Sequence, residues 1–464
     1  MVAKKGGVQE KVEARAVLTA IVLADSFAQR FRPITIEKPK ALLPLANIPM
    51  IEYTLEWLAS NKVEEVFLFC CAHAEQIRSY IASGKWAGTD RMKVTPVIST
   101  NCLSAGEALR LIDQRDLIKS DFVLVSADTI SNMDLGPALA AHRQRRQADK
   151  NAIMTMVMKP ARHAHQRLRL GDGKLLVTID HASKRLLKYT DWENEATLKL
   201  DTAFFSERDD LQIRSDLLDT HIAICAPEVL MLFSDNFDYQ NLRRDFVVGV
   251  LSEEELGNKL FIYEIENEYA ARVHNLRSYD AISRDILQRW CFPFAPDTNL
   301  LSPGSSSSSA SAGWGATTRY QRLRGNRYLE ASVTTRGADV ADDVCVGAGT
   351  VVGEGSVLSQ SVIGRNVRIG RGCSLVGCYV QDGAVIQSGA ELRCCVVCEK
   401  AVIGAGAKVM PGSVVSFGVV VGARHEVPPF TRLSLCKQQE QTGHASDDEL
   451  EYSTMTMAAG GGGG

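Results

Sequence analysis

Short apolar runs alternate with amphipathic stretches along roughly the first 290 residues of the chain. The amphipathic stretches, MIEYTLEWLAS (50–60) and LGPALAAHRQRRQ (135–147), have the spacing of helices with one apolar face. This alternation of strands and helices predicts a doubly wound α/β sheet, with LLVTID, LKYTDW and THIAICAP as strands added around a cleft. The runs that indicate buried parallel strands are AVLTAIVLA (16–24), EVFLFCC (65–71), DFVLVS (121–126) and AIMTMVM (152–158).

A different pattern, a 17-residue cycle, begins at Val346, where aliphatic residues recur at intervals of 6, 6 and 5. Three aliphatic positions per cycle fit a triangular coil with one inward side chain on each face, and a glycine at a fixed corner supplies the positive φ of a tight turn. We therefore predict a left-handed parallel β-helix of hexapeptide repeats over residues 317–430, a scaffold suited to subunit pairing rather than chemistry. The three registers are Val346, Ile363, Val380, Val397 and Val414; Val352, Ile369, Ile386, Ile403 and Val420; and Leu358, Leu375, Leu392 and Val409, with corner glycines Gly355, Gly372, Gly389 and Gly406.

Three polar segments separate or flank these two regions. Residues 301–316 hold SPGSSSSSASAGWGA, which has no means of burying a core and predicts a flexible Ser/Gly linker between an α/β domain at 16–300 and the β-helix. We expect a loose N-terminus at residues 1–15. The segment 431–464 turns polar, acidic and finally all glycine, which predicts a disordered tail.

Charge and cysteine content narrow the function classes. A formal net charge of −3 gives no general attraction to nucleic acid or to an anionic membrane, and no run approaches the roughly 20 apolar residues that span a bilayer. The twelve cysteines show no disulfide framework, and the one CxxC, Cys395 to Cys398, lacks a second pair for zinc. We therefore expect reduced thiols in a cytoplasmic protein, with no metal, no cofactor and no direct contact with nucleic acid or membrane.

The segment LADSFAQRFRPITIEKPKALLPL (23–45) lies where a phosphate-binding loop would follow the first strand. It resembles the signature of sugar-1-phosphate nucleotidyltransferases, a resemblance that implies a Rossmann-like, nucleotidyltransferase-like domain with a mixed sheet. The three signature glycines are replaced by Asp25, Ser26 and Ala28, and the signature threonine by Gln29. The residues on matching positions are Leu23, Ala24, Arg30, Pro33, Thr35, Pro39, Lys40, Leu43 and Pro44.

These replacements predict a degenerate nucleotide cleft. Asp25 places a carboxylate where a triphosphate would lie, and repulsion at about 4 Å is on the order of 1–4 kcal/mol. That family holds magnesium with two carboxylates; Asp128 in VLVSADTIS matches the first, whereas Arg272 falls on the second and cannot ligate a cation. We expect no catalytic residue, with Arg30, Lys40 and Asp128 kept as cleft-lining or ion-paired residues. The alternative is an active sugar-1-phosphate nucleotidyltransferase that releases pyrophosphate from a nucleoside triphosphate.

A nucleotidyltransferase-like domain joined to a left-handed β-helix resembles the epsilon and gamma subunits of eukaryotic translation initiation factor 2B. The loop ADSF followed by RFRPI is similar to the epsilon form, as are FLFCCAHAEQI (67–77) and DTHIAICAPEVLMLFSDNFDYQ (219–240). The resemblance implies a subunit of the guanine nucleotide exchange factor for initiation factor two, partnered by gamma and other sister subunits.

The same resemblance implies that Asn236 and Phe237 contact the GTPase gamma subunit of initiation factor two. An exposed Phe beside an Asn can supply an apolar anchor and a directional hydrogen bond. The alternative is that Phe237 and Tyr239 only pack their loop onto the sheet.

One departure from the family pattern concerns the end of the chain. Epsilon subunits continue through an acidic linker into HEAT-type helices that carry exchange, whereas SDDELE (446–451) resembles only the start of such a linker. The resemblance implies that these helices are truncated or supplied elsewhere, and that this chain alone binds initiation factor two and assembles the complex but exchanges nucleotide poorly. A purely structural subunit is a further alternative.

Overall fold

The computed structural model describes residues 17–24, 29–88, 91–99, 102, 104–161, 175–191, 205, 210–301 and 320–436. The predicted N-terminal segment and almost all of the predicted linker and tail lie outside these residues, so the predicted division into domains stays a prediction. None of the described helices combines the length and the apolar character needed to cross a membrane.

The first part of the chain, to residue 301, forms an α/β body. Its strands are β1 (Thr19–Leu23), β2 (Pro44–Leu45), β3 (Ile48–Pro49), β4 (Glu65–Cys70), β5 (Lys93–Ile98), β6 (Phe122–Ser126), β7 (Thr129–Ser131), β8 (Ala152–Pro160), β9 (Leu175–Asp180), β10 (Arg185–Asp191), β11 (Leu211–Arg214), β12 (Leu217–Cys225), β13 (Lys259–Glu264) and β14 (Ala270–Arg272). Its helices are α1 (Ile34–Glu37), α2 (Met50–Ser60), α3 (Ala74–Ser83), α4 (Ala105–Gln114), α5 (Leu135–Ala148), α6 (Glu228–Asp235), α7 (Val248–Ser252) and α8 (Leu276–Leu287). Short 3-10 turns lie at Gln29–Phe31, Lys40–Leu42, Glu254–Leu256 and Asn299–Leu301, and a π-helical segment at Leu242–Val247.

A mixed sheet of ten strands in the order β11-β9-β10-β13-β8-β12-β6-β1-β4-β5 forms the centre of the body. The four apolar runs that predicted strands are β1, β4, β6 and β8, and all four run in the same direction. Strand β12 lies antiparallel between β6 and β8, which makes the sheet mixed. The two amphipathic stretches are helices α2 and α5, as predicted.

Helix α2 is buried over almost its whole length and fixes the strands beside it. The Thr54 hydroxyl donates to the carbonyl of Thr129 at 2.9 Å, and the Trp57 indole donates to the carbonyl of Met133 at 2.8 Å. Because these bonds satisfy backbone groups of β7 and the turn after it, they hold that segment in one position. The β6–β7 turn, which carries Asp128, is thereby anchored to the core.

The second part of the chain is a parallel β-helix whose coils stack into three sheets. Its first sheet begins with an antiparallel hairpin, and each later strand pairs in parallel with its counterpart one coil on. The strands are β15 (Gln321–Leu323), β16 (Arg327–Leu329), β17 (Asp339–Val340), β18 (Cys345–Val346), β19 (Val351–Val352), β20 (Val357–Ser359), β21 (Val362–Ile363), β22 (Arg368–Ile369), β23 (Ser374–Val376), β24 (Tyr379–Val380), β25 (Val385–Ile386), β26 (Glu391–Arg393), β27 (Val396–Val397), β28 (Val402–Ile403), β29 (Lys408–Val409), β30 (Val414–Val415), β31 (Val420–Val421), β32 (Glu426–Val427) and β33 (Arg432–Leu433).

The predicted inward registers hold through Val409 and then shift by one residue. Val397 pairs with Val415, and Ile403 pairs with Val421, so the coil from Val397 to Val415 is one residue longer than the 17-residue cycle. The extra residue lies in the corner between Val409 and Val415. The assignment of Val414 and Val420 to the interior is therefore wrong: Val420 is 69% exposed, and Val414 is buried against the α/β body instead.

The corner glycines behave as the repeat predicts. Gly355, Gly372, Gly389 and Gly406 have φ between +64° and +76°. A residue with a Cβ is strained in this region, whereas glycine adopts it freely. The regular glycine step therefore marks the turns that close each triangular coil.

One face of the β-helix packs on the α/β body. Tyr328, Tyr379 and Val396 of this face belong to the same apolar core as helices α2 and α8. Polar contacts seal the junction: the Tyr328 hydroxyl donates to the carbonyl of Leu287 at 2.8 Å, and the Asn47 amide donates to the carbonyl of Ile363 at 2.8 Å. The two parts of the chain therefore share one core.

The shifted register predicts opposite outcomes for two adjacent valines. Val421→Ala removes a side chain from the interior of the β-helix and should lower the free energy of unfolding by about 2 kcal/mol. Val420→Ala, on the outer surface, should change it by less than about 0.5 kcal/mol. Urea denaturation followed by circular dichroism measures both, and equal losses, or the reverse order, would contradict the register.

Candidate functional site

Asp128 lies in the turn between β6 and β7 and is 3% exposed. The Thr54 hydroxyl is within hydrogen-bonding distance of the carbonyl of Ala127 (3.1 Å) as well as that of Thr129, so helix α2 holds both ends of the turn. The carboxylate has little freedom to move, and its environment decides what it can do.

Each of the two carboxylate oxygens accepts a hydrogen bond from a different cationic side chain. The Lys40 ammonium donates to Oδ2 of Asp128, and the Arg272 Nε donates to Oδ1 at 3.0 Å. Strand β14 pairs antiparallel with β7 and places Arg272 opposite Thr129, directly beside the aspartate. The structure thus brings together three residues that the sequence placed in one cleft, and we call Lys40, Asp128 and Arg272 the charge triad.

Burial and neighbouring charges shift the pKa values of the triad. Burial raises the pKa of Asp128, but Arg272 and Lys40 more than offset this and hold it well below its usual range. Burial, reinforced by the positive charges of Arg272 and Arg30, lowers the pKa of Lys40 to about 8 even though Asp128 raises it. At neutral pH the carboxylate is therefore ionised and fully engaged.

Strand β12 contributes further polar groups beside Arg272. His221 Nδ1 lies 3.5 Å from an Arg272 guanidinium nitrogen, and burial lowers the pKa of this imidazole to about 3, so it is neutral. The Asp219 carboxylate accepts the backbone N–H of His221 at 2.8 Å and forms an ion pair with Arg243. His221 has φ of +57°, at the point where the register of β12 shifts.

These residues of β12 had no predicted role in the sequence. Their only signal was the polar sequence Asp219-Thr-His221 inside an otherwise apolar strand. Arg30, which was predicted to line the cleft, is near enough to lower the pKa of Lys40. Asp25, Ser26 and Ala28 lie outside the described residues, so their effect on a phosphate stays a prediction.

The charge triad does not fit a magnesium ion. Among the residues that the structure describes, no group of three or more His, Cys, Asp or Glu side chains could hold a metal. Asp128 is the one family carboxylate retained by the sequence, and both of its oxygens already accept from cations. A cation that approached it would meet Arg272, since this side chain stands where the second carboxylate of nucleotidyltransferases was aligned.

The second candidate site is the loop that follows α6. Its Asn236 caps the helix, with the backbone N–H and the side-chain amide donating to the carbonyl of Leu232 at 3.1 and 3.2 Å. Tyr239 is buried and makes edge contacts with Phe233 and Phe246. Phe237, in contrast, is 73% exposed, so it does not pack the loop onto the sheet. Its contact with a partner stays a prediction.

The comparisons with known proteins agree with the two-part fold. Residues 19–165 match the family described as nucleotidyl transferase, and residues 324–427 match the eIF2B subunit epsilon LbH domain. Over 298 residues the chain is 47% identical to translation initiation factor eIF2B subunit epsilon of Schizosaccharomyces pombe, which covers 64% of this chain and 44% of that protein.

Two further relatives extend this comparison. The chain is 43% identical over 300 residues to eIF2B subunit epsilon of Dictyostelium discoideum, covering 65% of this chain and 42% of that protein. It is 28% identical over 269 residues to eIF2B subunit gamma of S. pombe, covering 56% of this chain and 57% of that protein. The chain thus spans less than half the length of the two epsilon subunits it resembles.

The charge triad predicts a specific dependence of stability on pH. Asp128→Asn leaves the buried Lys40 and the half-buried Arg272 with a weakened partner and should lower the free energy of unfolding at pH 7 by roughly 3–5 kcal/mol. Because the folded pKa of Asp128 lies below its unfolded value of about 3.9, its contribution is present above that value and is lost as pH falls below it. The difference between native and variant proteins should therefore shrink below about pH 4.

The control is Asp116→Asn, which removes an exposed carboxylate paired with Lys119 on the surface. It should change the free energy of unfolding by less than about 0.5 kcal/mol at either pH. Chemical denaturation at pH 7 and pH 3.5 measures all three proteins. An Asp128→Asn protein as stable as the native chain at pH 7 would show that the triad does not hold the cleft.

Proposed function

We propose that this chain, a relative of the eIF2B epsilon subunits through both of its parts, is a subunit of the guanine nucleotide exchange complex for translation initiation factor two. Its contribution is to dock the GTPase and to help assemble the complex. The observation that carries the proposal is the epsilon-type β-helix at 324–427 on a chain that is 47% and 43% identical, over 298 and 300 residues, to two epsilon subunits.

The charge triad supports a role in recognition rather than in nucleotidyl transfer. Transfer by the ancestral route needs a carboxylate free to hold magnesium, and Asp128 is engaged by Lys40 and Arg272. The cleft therefore acts as a rigid part of the core. Such a body can still offer surfaces, because loops on a rigid scaffold are where binding residues usually lie.

Asn236 and Phe237 are the proposed docking residues for the GTPase gamma subunit of initiation factor two. Phe237 projects from a short loop with most of its ring in solvent, which is the arrangement of an apolar anchor that fills a pocket on a partner. Asn236 fixes the end of α6 and thereby the point from which the loop departs. We call residues 236–240 the docking loop.

The proposed mechanism is a difference in binding, not bond chemistry. An exchange factor binds the nucleotide-free GTPase more tightly than the GDP-bound form, and by reciprocity its binding weakens that of GDP. In this scheme the docking loop adds affinity for the GTPase. The β-helix joins this chain to the gamma subunit and to other sister subunits.

The outer surfaces of the β-helix support that pairing. One face packs on the body, and a second carries charged side chains such as Glu391 and Lys408. The third face, formed by β19, β22, β25, β28 and β31, presents valines outward on four of its five strands, and two of them, Val351 and Val420, are 48% and 69% exposed. An apolar sheet face of this kind suits a protein partner.

We also propose a cytoplasmic location and the domain division predicted from the sequence. None of the twelve cysteines forms a disulfide, which fits a reducing compartment. Cys378 and Cys395 lie on adjacent coils, and the Cys395 thiol donates a hydrogen bond to the Cys378 sulfur at 3.8 Å, too far for a disulfide.

A co-purification experiment tests the docking loop. The chain is expressed with the gamma subunit, and capture of initiation factor two and release of GDP from it are measured for the native protein and for Asn236→Ala/Phe237→Ala. The variant should lose about tenfold or more in affinity for initiation factor two, since an anchor side chain carries much of the binding energy. It should retain the gamma subunit.

Phe430→Ala is the matched control, because Phe430 is an exposed phenylalanine (81%) on the last turn of the β-helix. It should bind initiation factor two as the native chain does. A native chain that captures neither initiation factor two nor the gamma subunit would overturn the proposed function. Magnesium-dependent pyrophosphate release would favour the nucleotidyltransferase alternative.

The apolar face of the β-helix gives a separate test of assembly. Val351→Asp/Val420→Asp places two charges on that face and should abolish co-purification of the gamma subunit, because a charge buried in an interface must be desolvated. Val357→Asp/Val376→Asp, on the charged face, should leave it unchanged. Equal yields of gamma subunit from both variants would rule out this face as the pairing surface.

A further inference from the structure

A buried arginine on α4 reaches into the docking loop. Arg110 is 7% exposed, and one of its terminal nitrogens donates to the carbonyls of Phe233 (3.3 Å) and Tyr239 (3.2 Å), with the carbonyl of Asn236 at 3.5 Å. The other terminal nitrogen donates to the side-chain oxygen of Gln240 at 3.4 Å. One guanidinium therefore contacts the last turn of α6 and both ends of the loop.

The same guanidinium also lies against the exposed ring of Phe237. Its central carbon is 5.7 Å from the ring centroid, within the range of a cation–π contact. The contact uses the side of the ring that faces the protein and leaves most of the ring in solvent. Arg110 thus acts on both the backbone of the loop and the side chain that the loop presents.

Gly106 on the same helix and Gln240 within the loop also fix the loop. The Gly106 backbone N–H donates to the carbonyl of Gln240 at 2.9 Å, and a Cβ at Gly106 would lie only 1.9 Å from the carbonyl oxygen of Tyr239. Gln240 in turn donates from its side chain to the carbonyl of Phe237 at 2.7 Å. The loop is therefore held closely against the N-terminal half of α4.

We propose that Arg110 is a positioning residue that pre-organises the docking loop, so that Phe237 is presented for an apolar pocket bordered by basic side chains on the partner. This inference rests on the proposed function of the loop. The chemistry of the pocket follows from the exposed carboxylates of Asp235 and Asp238, which flank Phe237 on either side in the sequence. Pre-organisation strengthens binding because less ordering of side chain and loop remains to be done on association.

The test compares variants of Arg110 in the complex with the gamma subunit. Binding of purified initiation factor two is measured by surface plasmon resonance for Arg110→Met, Arg110→Lys, Phe237→Ala and the double variant Arg110→Met/Phe237→Ala. Arg110→Met should weaken binding about tenfold, and Arg110→Lys should restore it only in part, because one ammonium group cannot span the same acceptors. Arg115→Met, exposed at the end of the same helix, should bind as the native chain does.

The double variant separates positioning from general stability. If Arg110 acts through Phe237, the double variant should bind no more weakly than Phe237→Ala alone, because the two effects share one interaction. The inference would be overturned if the affinity losses of the two single variants multiplied in the double variant. It would also be overturned if Arg110→Met bound initiation factor two like the native chain. If Arg110→Met does not fold, Gly106→Ala displaces the loop from the same helix and should weaken binding by a similar factor; native affinity there would also overturn it.

Failure of the inference and failure of the proposed function give different results. If Phe237→Ala binds initiation factor two as tightly as the native chain, the docking role of the loop is wrong. If Phe237→Ala binds weakly but Arg110→Met binds normally, the docking role stands and only the positioning role of Arg110 is wrong. If the affinity of Asp235→Asn/Asp238→Asn for initiation factor two depends less on salt than that of the native chain, the basic border of the pocket is supported. An unchanged salt dependence of the affinity would contradict it.

Discussion

The ion pairs between Asp128 and its two cations, Lys40 and Arg272, are the constraint on which the rest of the structure depends. A carboxylate buried to this degree must be compensated, and here both of its oxygens receive charged hydrogen bonds. The same pairing that satisfies Asp128 removes it as a ligand for magnesium. The pairing also makes Asp128 a structural contact that joins three separate segments of the body.

Helix α8 connects the charge triad to the junction between the α/β body and the β-helix. Arg272 ends β14, a few residues before α8 begins, and α8 contacts the β-helix through the carboxylate of Asp280, which accepts from the Tyr379 hydroxyl at 2.8 Å. The Leu287 carbonyl at the other end of α8 accepts from Tyr328. The cleft is therefore linked to the β-helix through α8, whose residues Asp280 and Leu287 both contact the β-helix.

The sequence predicted the parts of this structure that repeat or match a motif. The 17-residue cycle predicted the β-helix because each coil buries one aliphatic side chain per face, but the cycle could not reveal an extra residue in a corner, so Val414 and Val420 were assigned to the wrong side. The motif alignment placed Asp128 and Arg272 in one cleft, and they are in contact. His221 and Arg110 were missed because their roles arise from tertiary neighbours, which no local spacing encodes.

Our proposal for this cleft is that the charge triad leaves it no nucleotide chemistry and that the chain acts by protein recognition. Its most direct test is pyrophosphate release by the purified chain supplied with magnesium, a hexose 1-phosphate and each nucleoside triphosphate in turn. Pyrophosphate release should be no faster than in the absence of protein. Magnesium-dependent turnover that disappears in Asp128→Asn would contradict it.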